Sequence, residues 1–353
     1  NKLNALTGFE AISISEILLP LGISFFTFQG LSYLIDVYRG HSKVQKNFLN
    51  LGLYISLFPK LIAGPIVRYH DIDKQLMHRV ISRRKFASGI ERFVIGLVKK
   101  VVLANSFALI ADKTFNVLPD TISSEQAWMG IIFYSLQIYY DFAGYSDMAI
   151  GLGRMLGFNF LENFNFPYIS RSVREFWRRW HISLSSWFRD YVYIPLGGSR
   201  KSGGRTYFNL ILVFFLTGFW HGAGFSFIVW GMMHGFMMII ERLGFDKVLK
   251  RLPSVISNLY VVGFVMITWV FFRAESLSYG MAYVKRMFVF SSETSHYFGI
   301  YYTRELYLFL IMAVFGAYGF FPFVNKMFLR TYRKLHNPAR KIMLYFTDSV
   351  HLL

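Results

Sequence analysis

A histidine stands inside a long apolar stretch of the sequence, in Thr217-Gly-Phe-Trp-His-Gly-Ala-Gly. Ionisable groups are costly in apolar surroundings, so they tend to mark a function there, and imidazole is the commonest general base near neutral pH. The alternative is a core histidine that is hydrogen-bonded to a neighbouring helix. The flanking glycines favour a chemical role for His221, because they let a backbone or a substrate come close to the ring.

Two further histidines lie in aromatic surroundings. His181 follows Trp177-Arg-Arg-Trp, and His234 follows Trp230-Gly-Met-Met. One histidine can take the proton from an attacking hydroxyl while a second polar group orients it or binds a carbonyl oxygen. His181 is equally compatible with that second role and with helix packing. We interpret His234 as structural.

Other familiar kinds of site are disfavoured. The three histidines lack a short ligand spacing and have no neighbouring carboxylate, so we expect no metal site. The chain has no cysteine, which removes disulfides and a thiol acyl carrier. It has no Gly-x-Ser-x-Gly elbow and no Gly-x-x-x-x-Gly-Lys phosphate loop, which argues against a serine hydrolase and a nucleotide-driven pump.

Two acids, Asp141 and Asp147, lie six positions apart in an apolar stretch. Proton-relay acids of transporters have this appearance, and so do acids that brace a helix by pairing with an arginine of a basic loop. The sequence leaves both interpretations open. The neighbouring pair Lys99-Lys100 is interpreted as snorkelling or interfacial.

The composition predicts the surroundings of these residues. The chain of 353 residues is 54% hydrophobic and only 16% charged, with a net charge of +18. Soluble domains carry about 25% charged residues, so these values are typical of a polytopic membrane protein. The basic residues cluster beside hydrophobic runs, which indicates cytoplasmic loops and anionic lipid and disfavours nucleic acid as a partner.

Seven apolar runs are candidates for helices in the membrane, because a hydrocarbon core about 30 Å thick needs roughly 20 apolar residues. We expect one membrane-embedded, multi-pass domain over residues 1–353. We also expect that native N-terminal helices are missing before Asn1. The candidates lie near 17 to 37, 48 to 66, 90 to 111, 127 to 157, 207 to 240, 255 to 273 and 306 to 329.

Basic flanks orient these runs. The run from Asn50 to Val67 has basic residues on both sides and is broken by Pro59-Lys60 and Gly64-Pro65, so it predicts a re-entrant hairpin. Residues 207 to 240 are too long for one crossing and short for two, and they predict a second hairpin that turns near His221, roughly 20 Å deep. A mixed-charge external loop is expected over 274 to 305, and a basic cytoplasmic tail over 326 to 341.

The loop from Phe166 to Tyr207 is the strongest cytoplasmic marker, since it holds eight basic residues. Its first half has two stripes at helical spacing, one basic and one apolar, and it predicts a continuous amphipathic helix in the membrane interface. The apolar stripe consists of Trp177, His181, Leu184 and Phe188. Gly197-Gly-Ser and Ser202-Gly-Gly then predict a flexible turn.

Several longer motifs resemble one known family. They are Tyr139-Tyr-Asp-Phe-x-Gly-Tyr-Ser-Asp-Met, Asn163-Phe-Asn-x-Pro-Tyr, Phe176-Trp-Arg-Arg-Trp-His-Ile-Ser-Leu-Ser-x-Trp-Phe-Arg-Asp-Tyr, Pro195-Leu-Gly-Gly and Phe219-Trp-His-Gly. Together, over about residues 19 to 272, they resemble the membrane-bound O-acyltransferase superfamily. The resemblance is closest to its bacterial alginate O-acetyltransferase branch, which also includes peptidoglycan and cellulose acetylation proteins.

The resemblance implies an all-α polytopic membrane protein: a ring of transmembrane helices, with re-entrant and interfacial amphipathic helices, around a central tunnel. It places His221 on the catalytic histidine and His181 on a second, more variable polar position. It also implies a set of donor-binding or tunnel-lining residues near the basic helix, whose charge suits phosphate groups. These are Arg178, Arg179, Trp180, Ser185, Arg189, Asp190 and Trp220.

The implied activity is acetyl transfer in the bacterial inner membrane. Acetyl-CoA would be the donor substrate, with no bound cofactor, and the acetyl group would pass to an extracytoplasmic acetyltransferase partner or to a polysaccharide such as alginate, cellulose or peptidoglycan. Two other hypotheses stay open. One is a transporter of an activated acyl donor without acyl-transfer chemistry, and the other is a scaffold that docks a glycan synthase.

Overall fold

The protein is α-helical in the part of the chain that the structure describes, and no strand occurs there. The structure, a computed structural model, describes residues 22–200, 202–290, 299–320, 323–324 and 327. Two helices of that part are long and apolar enough to cross a bilayer. They are Arg83–Phe115, with 33 residues and a mean hydropathy of 1.9, and Ser254–Arg273, with 20 residues and 2.0. The all-α prediction is confirmed for the described residues.

The first three helices enclose an irregular segment. Helix α1 spans Ile23–Tyr38, α2 spans Phe48–Ser56 and α3 spans Tyr69–Met77, and a short 3₁₀ turn at Phe58–Lys60 follows α2. The non-helical backbone over 64–68 is buried in protein. The predicted helix break is therefore confirmed, and protein covers the freed backbone as such a break requires. The placement of this segment within a bilayer stays a prediction.

Two long helices form the most closely packed pair. Helix α4 spans Arg83–Phe115 with a π-helical stretch at Lys99–Ala104, and α5 spans Ser124–Met155. Glycines line their contact: a Cβ atom added at Gly96 would lie 2.5 Å from the carbonyl oxygen of Gly144. Because the glycines have no side chain, the two backbones approach closely, as is common between helices in membranes.

Ion pairs also join α4 and α5. The Asp147 carboxylate contacts Arg92 at 2.5 Å and Lys99 at 2.6 Å, and Asp141 pairs with Lys100. Of the two interpretations left open for these acids, bracing therefore has direct structural support. The cations come from α4, however, and not from the basic loop. The interpretation of Lys99-Lys100 as snorkelling or interfacial stays a prediction, and these carboxylates pair with both ammonium groups.

The basic segment forms two short helices where one was predicted. Helix α6 spans Val173–Arg179 and α7 spans Ile182–Phe188, and His181 between them has a left-handed backbone with φ 44°. At this break, two backbone hydrogen bonds with the preceding non-helical segment, residues 163–165, replace those of a helix. Ile182 N–H donates to Asn163 at 2.9 Å, and Asn165 N–H donates to Arg179 at 2.9 Å. The prediction of a continuous helix was therefore wrong.

The hairpin predicted around His221 is confirmed. Helix α8 spans Gly203–His221 and α9 spans Phe225–Ile240. A Cβ atom added at Gly231 would lie 2.3 Å from the carbonyl oxygen of Phe214, so these helices also depend on glycine for their close contact. The predicted depth of the turn in the membrane stays a prediction.

Four further helices follow α9. Helix α10 spans Asp246–Arg251, α11 spans Ser254–Arg273, α12 spans Leu277–Phe288 and α13 spans Arg304–Ala317. The last three, but not α10, contribute to the largest buried core, together with α4, α5, α6, α8 and α9. Within the external loop expected over 274 to 305, residues Leu277–Phe288 form α12, which packs on the core through Tyr283. The predicted basic tail over 326 to 341 lies outside the described residues apart from position 327, as do residues 17–21 of the first predicted run.

Candidate active site

The His221 side chain lies at the end of α8 in an aromatic pocket. Its ring centroid is 4.6 Å from that of Trp220, 5.0 Å from Phe272 and 5.1 Å from Trp230. Among the described residues, none donates a hydrogen bond to this ring or accepts one from it. A Cβ atom added at Gly222 would lie 2.6 Å from the Phe227 ring, so glycine is needed where the chain turns. The imidazole nitrogens are thus available for chemistry.

The His181 side chain is 2% exposed and is held from one side only. Its Nδ1 atom is 3.2 Å from the Oδ1 atom of Asn163. The Phe142 ring packs against it edge to face at a centroid distance of 4.6 Å. Its Nε2 atom is buried and has no hydrogen-bond partner among the described residues. A buried polar atom left in this way is uncommon and calls for an unseen partner or a functional reason.

The Trp220 ring links the two histidines. Its centroid lies 6.4 Å from that of His181 and 4.6 Å from that of His221. The Nε1 atom of Trp220 is buried and lacks a partner among the described residues. The structure therefore brings together three side chains that the sequence singled out, and it leaves a hydrogen-bond donor and an acceptor free beside them.

A hydrogen-bond network behind His181 escaped the sequence analysis. Asn163 accepts from the Ser183 backbone at 3.2 Å and from the Ser183 hydroxyl at 2.9 Å, and it donates to Ser146 at 3.1 Å. The Ser183 hydroxyl in turn accepts from the Ile66 amide at 3.0 Å. The irregular segment after α2 is thereby tied to His181. The available signal was the motif Asn163-Phe-Asn-x-Pro-Tyr, to which no role was given.

The third histidine, His234, has a different environment. Its Nδ1 atom accepts a hydrogen bond from the Trp177 indole at 3.2 Å, and its Nε2 atom is 3.1 Å from the Thr268 hydroxyl. Its side chain is fully buried. With both nitrogens occupied, the ring has no atom left for a substrate, which agrees with the structural interpretation. Within the described residues, no cluster of three or more potential metal ligands occurs.

The arginines of the basic segment differ in what holds them. Arg179 pairs with Glu175 at 2.8 Å, and Arg189 pairs with Asp190 at 2.6 Å. Arg178 is exposed and has no ion pair or hydrogen bond within the part of the chain that the structure describes. Of the three arginines predicted to meet a donor, Arg178 is therefore the one with a free guanidinium group.

Asp190 is held by two arginines from opposite sides. Arg68 contacts its carboxylate at 2.7 Å, in addition to Arg189. Partial burial by itself would raise the pKa of this carboxyl, but the hydrogen bond from Arg189 and the charge of Arg68 outweigh burial and lower the pKa below its ordinary value. Asp190 is therefore ionised at neutral pH and occupies both guanidinium groups.

The two other predicted lining residues lie deeper. Trp180 is 4% exposed, and its ring stacks on Phe176 at 5.6 Å and packs on Trp269 at 5.0 Å. The Ser185 hydroxyl lies 3.4 Å from the carbonyl oxygen of Trp180. Trp180 is thus part of the aromatic core beneath the site, and its role in binding a donor stays a prediction.

The fold and the site define a helical membrane protein in which two histidines, one between two short helices and one at the end of α8, lie beside a tryptophan. Sequence comparison agrees with the motifs: the model of the membrane-bound O-acyltransferase family matches residues 41–273. The chain belongs to this family. The match includes His181, His221 and Asn163 and ends at the last residue of α11.

Curated relatives share much of the chain. It is 45% identical over 331 residues to the probable alginate O-acetylase of Pseudomonas aeruginosa, which covers 91% of this chain and 62% of that protein. It is 40% identical over 302 residues to the peptidoglycan O-acetyltransferase of Helicobacter pylori, covering 77% of this chain and 57% of that protein. It is 30% identical over 251 residues to the teichoic acid D-alanyltransferase of Bacillus subtilis, covering 66% and 62%. The chain thus spans less than two thirds of each of these relatives.

Proposed function

We propose that this chain is the core of a membrane O-acyltransferase that moves an acetyl group from a cytoplasmic thioester, acetyl-CoA, to a hydroxyl group of an extracytoplasmic acceptor. The observation that carries the proposal is that His181 and His221 both lie beside the Trp220 ring, and that the buried Nε2 atom of His181 and Nε1 atom of Trp220 have no partner among the described residues. A pocket that excludes water protects a thioester from hydrolysis, and it strengthens every polar interaction within it.

The reaction needs one base and one carbonyl-binding group. His221 takes the proton of the attacking hydroxyl while its oxygen bonds to the thioester carbonyl carbon. The carbon–sulfur bond then breaks, and the thiolate leaves with the proton that His221 carries. The Trp220 indole N–H, which is a donor only, suits the carbonyl oxygen on which negative charge develops.

The donor enters from the basic side of the molecule in this proposal. Lysine and arginine are enriched in cytoplasmic loops, so the segment from Phe166 to Tyr207 faces the cytoplasm. The free guanidinium group of Arg178 binds a phosphate of acetyl-CoA. A ring of helices around a tunnel, in a multi-pass arrangement in the bacterial inner membrane, then joins the donor side to the acceptor side.

The acceptor is a hydroxyl-bearing polymer outside the cytoplasm or a separate acetyltransferase that serves it. The relatives named for alginate and peptidoglycan support a polysaccharide, and alginate is the first polymer to test. The relative named for teichoic acid transfers D-alanyl groups according to its name, so the core is compatible with more than one small acyl group.

The decisive experiment follows acetyl esters on the exported polymer. The full-length protein is reconstituted with its partner proteins, supplied with radiolabelled acetyl-CoA, and compared with His221→Ala. We expect loss of polymer acetylation with His221→Ala and wild-type activity with His78→Ala, a matched substitution of an exposed histidine at the end of α3. Undiminished acetylation by His221→Ala would overturn the proposal.

The transporter hypothesis has less support than the enzyme. It was motivated by Asp141 and Asp147, and the structure accounts for both acids by ion pairs with Lys100, Arg92 and Lys99. Passage of intact acetyl-CoA or another donor across sealed vesicles, without an acetylated product, would favour it. A scaffold without chemistry would keep full function when both His181 and His221 are replaced.

A further inference from the structure

The contact between Asn163 and His181 determines the orientation of one side chain and the protonation of the other. Both side chains are almost completely buried, with exposed fractions of 0% and 2%. The Asn163 amide is held at both ends, by Ser183 on one side and by the Ser146 hydroxyl on the other. Every hydrogen-bonding atom of this amide therefore has a defined partner, and the orientation of the amide can be determined.

The backbone N–H of Ser183 decides which amide atom faces His181. It lies 3.2 Å from that atom, and a backbone N–H can only donate, so the atom must be the oxygen. The Ser183 hydroxyl agrees: its oxygen accepts from the Ile66 amide, so its hydrogen is free to donate to Asn163 at 2.9 Å. Asn163 Oδ1 is thus an acceptor for every group around it.

The protonation of His181 follows from this assignment. Its Nδ1 atom lies 3.2 Å from an oxygen that can only accept, so Nδ1 must carry a hydrogen. An unprotonated Nδ1 would place two lone pairs against each other. In a neutral ring the second nitrogen, Nε2, then has a lone pair and no hydrogen. That atom is the buried one without a partner among the described residues.

A doubly protonated ring is disfavoured by the same surroundings. The hydrogen-bonded neighbour of His181 is a neutral amide, and the ring is covered by Phe142. The His221 ring also lies beside Trp220, and an imidazole supplies no negative charge to balance a second proton on His181. Burial without a counter-charge favours the neutral form.

We infer that Asn163 is a positioning residue that holds His181 in the Nδ1–H tautomer, so that Nε2 accepts a hydrogen bond from a second hydroxyl group of the acyl acceptor, beside the one that attacks. The inference rests on the proposed function. A thioester carbonyl has no hydrogen to give, whereas a polysaccharide acceptor carries several hydroxyl groups. The hydrogen of the attacking hydroxyl goes to His221, so His181 orients the acceptor through a neighbouring hydroxyl and does not polarise the thioester carbonyl.

Nitrogen NMR tests the tautomer without any reaction. The full-length protein is labelled with ¹⁵N-histidine and studied in lipid nanodiscs, and the His181 signals are assigned by their loss in His181→Gln. We expect a protonated Nδ1 and an unprotonated Nε2 at neutral pH. The opposite tautomer, or a doubly protonated ring, would overturn the inference.

Three variants then test Asn163 itself. Asn163→Asp keeps an acceptor for Nδ1 but adds a negative charge that stabilises a doubly protonated His181, so we expect the acidic limb of the pH–rate profile to move to higher pH. Asn163→Leu should give mixed tautomers and at least a tenfold lower kcat. Ser135→Ala, which removes a buried hydroxyl of the same helix α5 that donates to the Ile131 carbonyl, is the matched control and should change neither.

A folding defect, a failure of the proposed function and a failure of the inference give different results. If Asn163→Leu does not fold, the profile of Asn163→Asp decides: a lower kcat without a shift in pH would show a merely structural role and contradict the inference. If His221→Ala remains active while the expected tautomer is observed, the proposed function fails and the tautomer assignment stands. If His221→Ala is inactive and the tautomer is reversed, the function stands and the inference fails.

Discussion

The buried carboxylate of Glu241 accepts a hydrogen bond from the backbone amide of Val173 over 2.6 Å. It also accepts one from the amide of Arg174 at 3.0 Å, so it caps the first turn of α6. Glu241 directly follows α9, the helix after the His221 turn, whereas α6 leads to His181. One carboxylate therefore ties together the two segments that carry His181 and His221, and the two segments are not adjacent in sequence.

Replacement of Glu241 should cost stability and activity together. Glu241→Ala leaves two buried amides without an acceptor, and we expect the free energy of unfolding to fall by about 1.5–3 kcal/mol. Glu241→Gln keeps one acceptor oxygen and should lie between Ala and the wild type. Denaturant unfolding in detergent measures the effect, with Glu91→Ala, an exposed acid on α4, as the control. Wild-type stability of Glu241→Ala would contradict the capping role.

The indole N–H of Trp220 should matter for rate more than for structure. Trp220→Phe keeps an aromatic ring beside both histidines but removes the donor, and we expect kcat to fall by about 10²-fold, the scale seen when a donor to a developing oxyanion is lost. Trp128→Phe is the control, because that indole donates to the backbone of Met287 away from the two histidines. A similar kcat for both variants would exclude a catalytic role for the Trp220 N–H.

The free arginine should govern affinity for the donor. Arg178→Ala removes a charge-assisted contact to phosphate, and we expect the KM for acetyl-CoA to rise about tenfold with unchanged thermal stability. Arg171→Ala removes an equal charge from an exposed position of the same segment and should change KM far less. If the two variants raise KM equally, the segment acts through its overall charge and not through a defined contact.

The two acids of α5 should contribute very differently to stability. The Asp147 side chain is 6% exposed between Arg92 and Lys99, so Asp147→Asn takes the carboxylate from Lys99 and one of the two carboxylates from Arg92 and should cost about 1.5–3 kcal/mol. The Asp141 side chain is 48% exposed, and Asp141→Asn should cost less than about 1 kcal/mol. Thermal unfolding of the two variants in the same detergent measures the difference. Equal losses would show that burial does not set the strength of these pairs.

The sequence predicted the features that depend on neighbouring residues. The length and apolarity of the long helices, the break after α2 and the hairpin at His221 follow from local composition and from the positions of proline and glycine. The motifs also led to both histidines and to Trp220. The local pattern did not predict the helix break at His181. The helical spacing of apolar residues continues from Trp177 to Phe188, although the chain is not helical at His181.

Tertiary structure decided what those residues contact. The break at His181 depends on backbone hydrogen bonds with Asn163 and Asn165. Within the part of the chain that the structure describes, Arg178 has no carboxylate partner, whereas Arg179 and Arg189 pair with Glu175 and Asp190. The sequence by itself determined where helices and ionisable groups lie along the chain, because propensity and hydrophobic spacing are local. Only the packing of distant segments decided which nitrogen of His181 carries its proton and that its ring meets Trp220 beside His221, because such contacts join residues that no local pattern relates.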